Sequence, residues 1–105
     1  MNQDIHSKYE LRAKIMKALG HPTRLFIVDE LGREPRFVHE LTDMIGANIS
    51  TVSKHLNLLK EAGLVDYEKL GTQVRYRLAA PCVLGFFTCL ESMVKVGLAR
   101  QINSL

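Results

Sequence analysis

The stretch from residue 38 to residue 64, VHELTDMIGANISTVSKHLNLLKEAGL, constrains the fold more than any other part of the chain. Its first half has apolar residues at helical spacing, namely Val38, Leu41 and Ile45. Gly46 follows, where a helix end favours a residue that tolerates left-handed backbone angles. Asn48 is a suitable N-cap for a second helix, because its side-chain oxygen can accept a hydrogen bond from a free backbone N–H group, and Gly63 is a suitable stop. The pattern predicts two short helices joined by a tight turn.

The second of these helices has an apolar face and a polar face when its residues are placed at about 100° per residue. The apolar arc contains Ile49, Val52, Leu56 and Leu59, the opposite face Ser50, Lys54, Asn57 and Glu61, and the flanks Thr51 and Ser53. Short hydroxyl and amide side chains can reach base edges in a DNA major groove, where a lysine can also contact phosphate. The segment is a candidate recognition helix, in which His55, at the edge of the apolar arc, can either contact a phosphate or pack. The alternative is an ordinary amphipathic helix pair with a solvated outer face.

Apolar and polar residues alternate after Gly63, which predicts a two-stranded β-hairpin. The alternating apolar residues are Val65 and Tyr67 in the first strand and Val74, Tyr76 and Leu78 in the second. A hairpin directly after a recognition-type helix is typical of a wing, whose tip can contact the DNA backbone or the minor groove. The candidates for this contact are Lys69, Thr72, Gln73 and Arg75. The alternative is that Arg75 and Arg77 pair across the hairpin with Asp66 and Glu68, and for Arg77 we favour this pairing.

The segments on either side of this motif also have helical patterns. We expect one helix over about 7–19 and a second from Pro22 to Gly32 that is nearly all buried and forms the centre of the core.

A last helix of about 20 residues is expected to open at Pro81. It carries two adjacent apolar stripes, one of Val83, Phe87, Leu90, Val94 and Leu98 and one of Cys82, Phe86, Cys89, Met93 and Val96. A chain this small can cover only one stripe, so the second predicts a two-fold homodimer that sets two recognition helices about one DNA turn apart on a near-palindromic site.

Composition limits the classes of function that remain. The 105 residues are 47% hydrophobic and 24% charged, which predicts a single domain over 1–105 with one modest core. A net charge of +3 and a pI near 9.0 suit a nucleic-acid partner. No run of about 18 apolar residues and no apolar signal core are present, so we expect no membrane partner and a cytoplasmic location. We also expect no enzymatic activity, because no nucleophile–base motif, Gly-rich phosphate loop or convergent carboxylate pair is present.

Three segments together make the sequence resemble the ArsR family of small winged helix-turn-helix repressors. They are KALGHPTRLFIVDEL over 17–31, STVSKHLNLLKEAGLV over 50–65 and VRYRL over 74–78. The resemblance covers nearly the whole chain and implies a mainly α fold with a small β-hairpin, a winged helix-turn-helix of about five helices plus a two-stranded wing. It also implies a dimer joined by its first and last helices, which binds a double-stranded DNA operator when ligand-free and releases it when an inducer binds.

The predicted DNA interface combines the recognition helix, the wing and this resemblance. Base contacts in the family come from the start of the recognition helix, which corresponds here to Ile49, Ser50, Ser53 and Lys54. Where relatives often have a glutamine able to read adenine, this chain has Ile49, which either packs or contacts a thymine methyl group. The full predicted set is Asn48, Ile49, Ser50, Thr51, Ser53, Lys54, His55, Asn57, Lys69, Thr72, Gln73 and Arg75.

Two cysteines, Cys82 and Cys89, are the candidate sensor. The Cys-x-Cys metal pattern of the family would fall on Phe37 and His39, and the family's zinc-type site on the last helix keeps only Glu91 here. Some relatives bind trivalent arsenic through cysteines on the last helix. The resemblance therefore implies arsenite, another thiophilic metal ion or a thiol oxidant as the inducer.

Geometry limits how Cys82 and Cys89 can act. In an unbroken helix their Cα atoms would lie about 10.5 Å apart, whereas a disulfide needs less than about 7 Å, and a metal ion with sulfur bonds of about 2.3 Å cannot bridge the gap. Action within one chain requires the first helical turn to unwind, which Pro81 and Gly85 favour, whereas a dimer would bring four thiols near one seam. The alternatives are that both cysteines are apolar fillers, that the chain is a repressor without a cysteine sensor, or that it is a winged-helix module that docks another protein.

Overall fold

Five helices and one three-stranded antiparallel sheet make up the computed structural model, which describes the backbone of residues 1–104 and the side chains of residues 1–98. The elements are α1 (Gln3–Leu19), α2 (Pro22–Arg33), β1 (Arg36–Phe37), α3 (Val38–Ile45), α4 (Ile49–Glu61), β2 (Val65–Leu70), β3 (Gln73–Leu78) and α5 (Val83–Ser104). The fold is a winged helix-turn-helix, with α3 and α4 as the helix pair and β2 and β3 as the wing, and this confirms the predicted fold class. Among the residues described, no helix combines the length and apolar character needed to cross a membrane.

The helix pair has the boundaries that its apolar pattern and capping residues predict. α3 ends at Gly46, whose φ of 76° lies in the left-handed region. Asn48 caps the start of α4, because its Oδ1 accepts a hydrogen bond from the Thr51 backbone N–H at 2.8 Å. After α4, Gly63 has a φ of 78° and leads the chain into β2. Local signals therefore define the recognition helix at both ends.

The sheet contains a third strand that the sequence pattern did not predict. The strand order is β1-β3-β2, and Arg36 of β1 lies opposite Tyr76 of β3 in an antiparallel pair. With only two residues, β1 is too short to show an alternating pattern. The Arg36 guanidinium donates hydrogen bonds to Glu30 of α2 at 2.9 Å and to Glu40 of α3 at 3.2 Å. The expected two-stranded wing is thus part of a three-stranded sheet that is tied to both helices.

The core lies between α2, α3, α4 and the sheet. Its largest fully buried side chains are Ile27, Val28, Leu41, Val52, Leu56 and Leu59. The prediction that α2 is nearly all buried is wrong, since Leu25 and Phe26 are 37% and 38% exposed. A helix packed against neighbours on one side can bury only one stripe of its surface. The centre of the core is therefore shared between α2 and α4.

The last helix begins two residues later than predicted. It starts at Val83, and Cys82 lies in the turn between β3 and α5. In this turn the Val83 N–H donates to the Ala80 carbonyl and the Leu84 N–H to the Pro81 carbonyl, both at 3.1 Å and three residues apart. These short turns replace the first α-helical turn, which corrects the expectation that Cys82 belongs to a helical stripe with Cys89.

Both terminal helices leave apolar surface uncovered. The strongly exposed apolar side chains are Leu11 and Met16 in α1 and Met93, Val94, Val96 and Leu98 in α5. Every residue from 91 to 98 is exposed, so this chain covers its last helix only as far as Leu90 and leaves more apolar surface uncovered than one stripe. The radius of gyration is 16.5 Å, against about 13 Å for a compact domain of this length. The excess agrees with terminal helices that extend beyond the core.

Candidate nucleic-acid interface

α4 presents to solvent the polar face that its sequence predicts. Of the five predicted contact residues with hydroxyl, amide or ammonium groups on α4, Ser50, Thr51, Lys54 and Asn57 are exposed and Ser53 is half-buried. These groups offer hydroxyl, amide and ammonium donors along one side of a helix whose opposite side is fixed in the core. Asn48 is also exposed, but its side-chain oxygen already accepts the capping bond. The arrangement can reach base edges and phosphates.

Ile49 departs from the apolar arc on which its position placed it. Its side chain is 56% exposed, whereas Val52 and Leu56, which follow it on the same arc, are 0% exposed. Ile49 is the first residue of α4 and lies beyond the edge of the core. Of the two alternatives for this residue, packing in the core is therefore excluded. An exposed branched side chain at this end of the helix fits contact with a thymine methyl group.

His55 packs against the start of α2 instead of facing solvent fully. Its Nδ1 lies 3.1 Å from Arg24 Nη1, and because a guanidinium can only donate, the histidine nitrogen accepts this hydrogen bond. The His55 ring centroid is 4.6 Å from that of His21, whose Nδ1 accepts from the Thr23 backbone N–H at 3.1 Å and so caps α2. Arg24 Nε also donates to the Ala18 carbonyl at 2.7 Å. One arginine thus connects α1, α2 and the recognition helix.

The surroundings of His55 favour its neutral form. Burial lowers its pKa below the ordinary value of 6.5, and the adjacent His21 and Arg24 act in the same direction. Of the two readings of His55, packing is the one observed. Arg24 was missed by sequence reasoning, because residues 24 and 55 are far apart in the chain and no local spacing shows that they meet. Its only sequence signal was a charge within a mostly apolar segment.

The wing tip is exposed, and its arginines are paired. Lys69, Thr72 and Gln73 surround Gly71, whose φ of 67° forms the tight turn, and all three are exposed. Arg75 Nε donates to Glu68 at 3.1 Å, and Arg77 Nη2 donates to Asp66 at 3.2 Å. The favoured pairing of Arg77 is therefore present. Arg75 is paired too, so a contact with DNA would require it to share or leave Glu68.

The two cysteines are exposed but lie in different grooves. Cys82 lines an apolar groove of about 340 Å³ between α1, the end of α4 and the start of α5. Cys89 lines a separate groove along α5 with Ser92, Met93 and Val96. Within the described part of the chain, no group of three or more His, Cys, Asp or Glu side chains is placed to hold a metal ion. A single chain does not bring the predicted sensor residues into one site.

Comparisons with known proteins fit this architecture. The family model for the bacterial regulatory proteins of the arsR family matches residues 21–67. The uncharacterized HTH-type transcriptional regulator MJ1325 of Methanocaldococcus jannaschii is 44% identical over 66 residues, which cover 62% of this chain and 74% of that protein. The chain belongs to the ArsR family. The HTH-type transcriptional repressor SmtB of Mycobacterium tuberculosis is 44% identical over 66 residues, covering 63% of this chain and 49% of SmtB, so the chain spans about half the length of that relative.

Solved structures extend the likeness to nearly the whole chain. The homodimeric winged helix-turn-helix DNA-binding domain of Mb0332 from Mycobacterium bovis, a possible ArsR-family transcriptional regulator, superimposes with a TM-score of 0.82 at 29% identity. The match covers 95% of this chain and 93% of that domain. The relatives SmtB and MJ1325 are described as a transcriptional repressor and a transcriptional regulator, not as enzymes, which agrees with the prediction for this chain.

Proposed function

We propose that this ArsR-family protein is a homodimeric transcriptional repressor that binds a near-palindromic DNA operator. The observation that carries the proposal is the exposed polar face of α4, held on a winged helix-turn-helix frame by its buried opposite face. Ser50, Ser53 and Asn57 would contact base edges in the major groove, and Ile49 a thymine methyl group. Phosphate contacts would come from Lys54, from Asn48 and Thr51 at the helix start, and from Lys69, Thr72 and Gln73 at the wing tip. His55 and Arg75 would act indirectly, since each is already bonded to a neighbour.

The uncovered apolar surfaces of α1 and α5 support the dimer. Their exposed leucine, valine and methionine side chains would be covered if two copies met along these helices. The related Mb0332 domain is described as homodimeric. A two-fold dimer presents two equivalent recognition helices, so the DNA site should have two half-sites of related sequence.

Selection of bound sequences from a random pool of DNA duplexes tests the proposal. We expect the wild type to enrich a near-palindromic sequence and to sediment as a dimer. Lys54→Gln should weaken binding, whereas Lys8→Gln, an equal charge change at an exposed position of α1, should bind as the wild type does. Failure to enrich any sequence, or enrichment of one isolated half-site by a monomer, would contradict the proposal.

The proposed signal is a soft metal ion, arsenite or a thiol oxidant acting at Cys82 and Cys89. Both thiols are exposed, and the groove beside Cys82 is also lined by Ala62 and Leu64, the residues that follow the recognition helix. A reaction at Cys82 could therefore displace the end of α4. Because the two thiols of one chain lie in separate grooves, a shared ion would need thiols from both protomers.

The experiment compares operator binding by the wild type, Cys82→Ser and Cys89→Ser. Each protein is tested alone and with arsenite, cadmium, zinc, a persulfide or a peroxide. Release of the wild type that is lost in a serine variant would support the sensor. Equal release of all three proteins by the same agent would make the thiols structural and favour a repressor without a cysteine sensor.

The exposed apolar face of α5 also supports a second candidate function, a winged-helix module that docks another protein. This candidate requires a stable monomer in solution, which sedimentation of the isolated protein would detect. A dimer at micromolar concentration would contradict it.

A further inference from the structure

A groove beside the recognition helix joins it to the C-terminal half of α1. The groove has a volume of about 230 Å³ and is lined by Lys14, Lys17, Ala18, Arg24, Leu58 and Glu61. Leu58 and Glu61 belong to α4, and the two lysines belong to α1. None of these residues was part of the predicted DNA interface, yet they directly adjoin the helix that carries it.

Within the part of the chain whose side chains are described, four arginines have a carboxylate partner, whereas the two lysines of this groove have none. Arg36 and Arg77 bond to acidic side chains at 2.9 Å and 3.2 Å, and Arg75 is paired with Glu68. Within residues 1–98 no ion pair joins Lys14 or Lys17 to a carboxylate, and both side chains are exposed. The groove therefore has three cationic side chains against the single carboxylate of Glu61.

The groove continues the polar face of α4 toward its C-terminus. Leu58 and Glu61 lie four and seven residues after Lys54, so the three side chains share one side of the helix. The wing lies on a different flank, where Lys60 Nζ is 3.5 Å from the Tyr67 hydroxyl of β2. A helix in the major groove has a phosphate backbone along each of its flanks.

We propose that Lys14 and Lys17 form a second phosphate-binding surface beside the recognition helix, on the flank away from the wing. The inference rests on the proposed DNA-binding function and extends its footprint to α1. Each lysine contacts a backbone phosphate of the duplex, so the contribution is independent of base sequence. Arg24 lines the same groove but is held by the Ala18 carbonyl and His55, so its role is to add positive potential.

The test measures the dependence of DNA affinity on salt for Lys14→Gln/Lys17→Gln and for a charge-matched control, Lys8→Gln/Arg12→Gln. The control changes the same helix by the same charge, outside the groove. A fluorescein-labelled duplex of mixed sequence is titrated between roughly 50 and 200 mM salt, because phosphate contacts do not require the operator. Circular dichroism and sedimentation check that each variant folds and dimerises as the wild type does.

The measured quantity is the slope of log affinity against log salt concentration. We expect the groove variant to reduce the magnitude of this slope by about 0.9 for each lost phosphate contact, or about 1.8 per protomer, while the control keeps the wild-type slope. Glu61→Gln should bind more tightly, since it removes the only carboxylate of the groove. An unchanged slope in the groove variant, or an equal loss in the control, would overturn this inference while leaving the proposed function intact. A wild type that binds no duplex would overturn both.

Discussion

Replacement of Glu30 by glutamine tests the ion-pair network that holds β1 against α2. Glu30 is only 4% exposed, and its Oε1 accepts hydrogen bonds from Arg36 Nε at 3.2 Å and from Arg36 Nη2 at 2.9 Å. Its Oε2 lies 3.6 Å from Arg33 Nη1, but the Arg33 side chain is mostly exposed. The substitution keeps the shape of the side chain and removes its charge.

The size of the effect follows from the two hydrogen bonds to Arg36. Glutamine can still accept both hydrogen bonds from the cationic Arg36 guanidinium, but the attraction between opposite charges is lost, so each bond weakens by about 1 kcal/mol and the two by about 2 kcal/mol in total. Glutamine no longer has to bury a charge, which offsets part of this loss. We expect Glu30→Gln to lower the free energy of unfolding by about 1–2 kcal/mol. Arg36→Gln should cost more, because it leaves the Glu30 carboxylate buried without its main partner.

Urea denaturation followed by circular dichroism provides the measurement. The matched control is Glu34→Gln, because the Glu34 carboxylate also lies 2.9 Å from Arg36 but its side chain is 59% exposed. A surface pair of this kind contributes about 0–1 kcal/mol. If Glu30→Gln and Glu34→Gln changed stability equally, or if Glu30→Gln stabilised the fold, the reasoning from burial would be refuted.

Three further predictions concern the recognition helix and its support. Asn48→Ala should destabilise the fold by about 1 kcal/mol through loss of the N-cap, whereas Asn57→Ala on the exposed face should not destabilise it, because alanine has the higher helix propensity; an equal loss in both variants would contradict the cap. Because the folded state lowers the pKa of His55 below 6.5, the contribution of neutral His55 to stability should be fully present above pH 6.5. This contribution should be lost as the pH drops toward the folded-state pKa, since the unfolded chain binds the proton first. Urea denaturation at a series of pH values should show this loss, and His55→Gln should reduce it. A Cβ at Gly32 would lie 2.8 Å from Leu84 Cδ1, so Gly32→Val should destabilise by about 1–3 kcal/mol. Gly32→Ala should change thermal stability less, because Leu84 can move and alanine adds about 1 kcal/mol of helix propensity.

The parts of the fold that could be predicted from sequence are those with local signals. The turn between α3 and α4 was readable because Gly46 and Asn48 each have a preferred backbone or capping role that acts within three residues. The hairpin was readable because alternation repeats along both strands. Boundaries set by such short-range interactions need no knowledge of the rest of the chain.

The parts that could not be predicted depend on contacts between distant residues. β1 pairs with β3, and Arg36 bonds it to carboxylates on two helices, whereas two residues cannot carry a strand pattern by themselves. His55 packs because Arg24 of α2 donates a hydrogen bond to it. This contact makes His55 differ from the exposed residues of its own helix. Ile49 is exposed because the core ends before it, although helical periodicity groups it with buried residues.

The apolar stripes of α5 show why periodicity and the burial observed in one chain can disagree. Periodicity reflects every surface that the side chains cover in the working assembly, whereas burial in a single chain reflects only its own packing. Leu90 is partly covered by this chain, but Val94 and Leu98, at the same helical spacing, are 70% and 57% exposed. Leaving such a continuous apolar face in water is unfavourable, so the stripe beyond Leu90 is best explained by a partner surface. A Val94→Asp/Leu98→Asp variant should therefore lose dimerisation in sedimentation while keeping the helical circular dichroism of a folded chain, with a urea midpoint lowered by the lost association. A variant that remained dimeric would contradict this explanation.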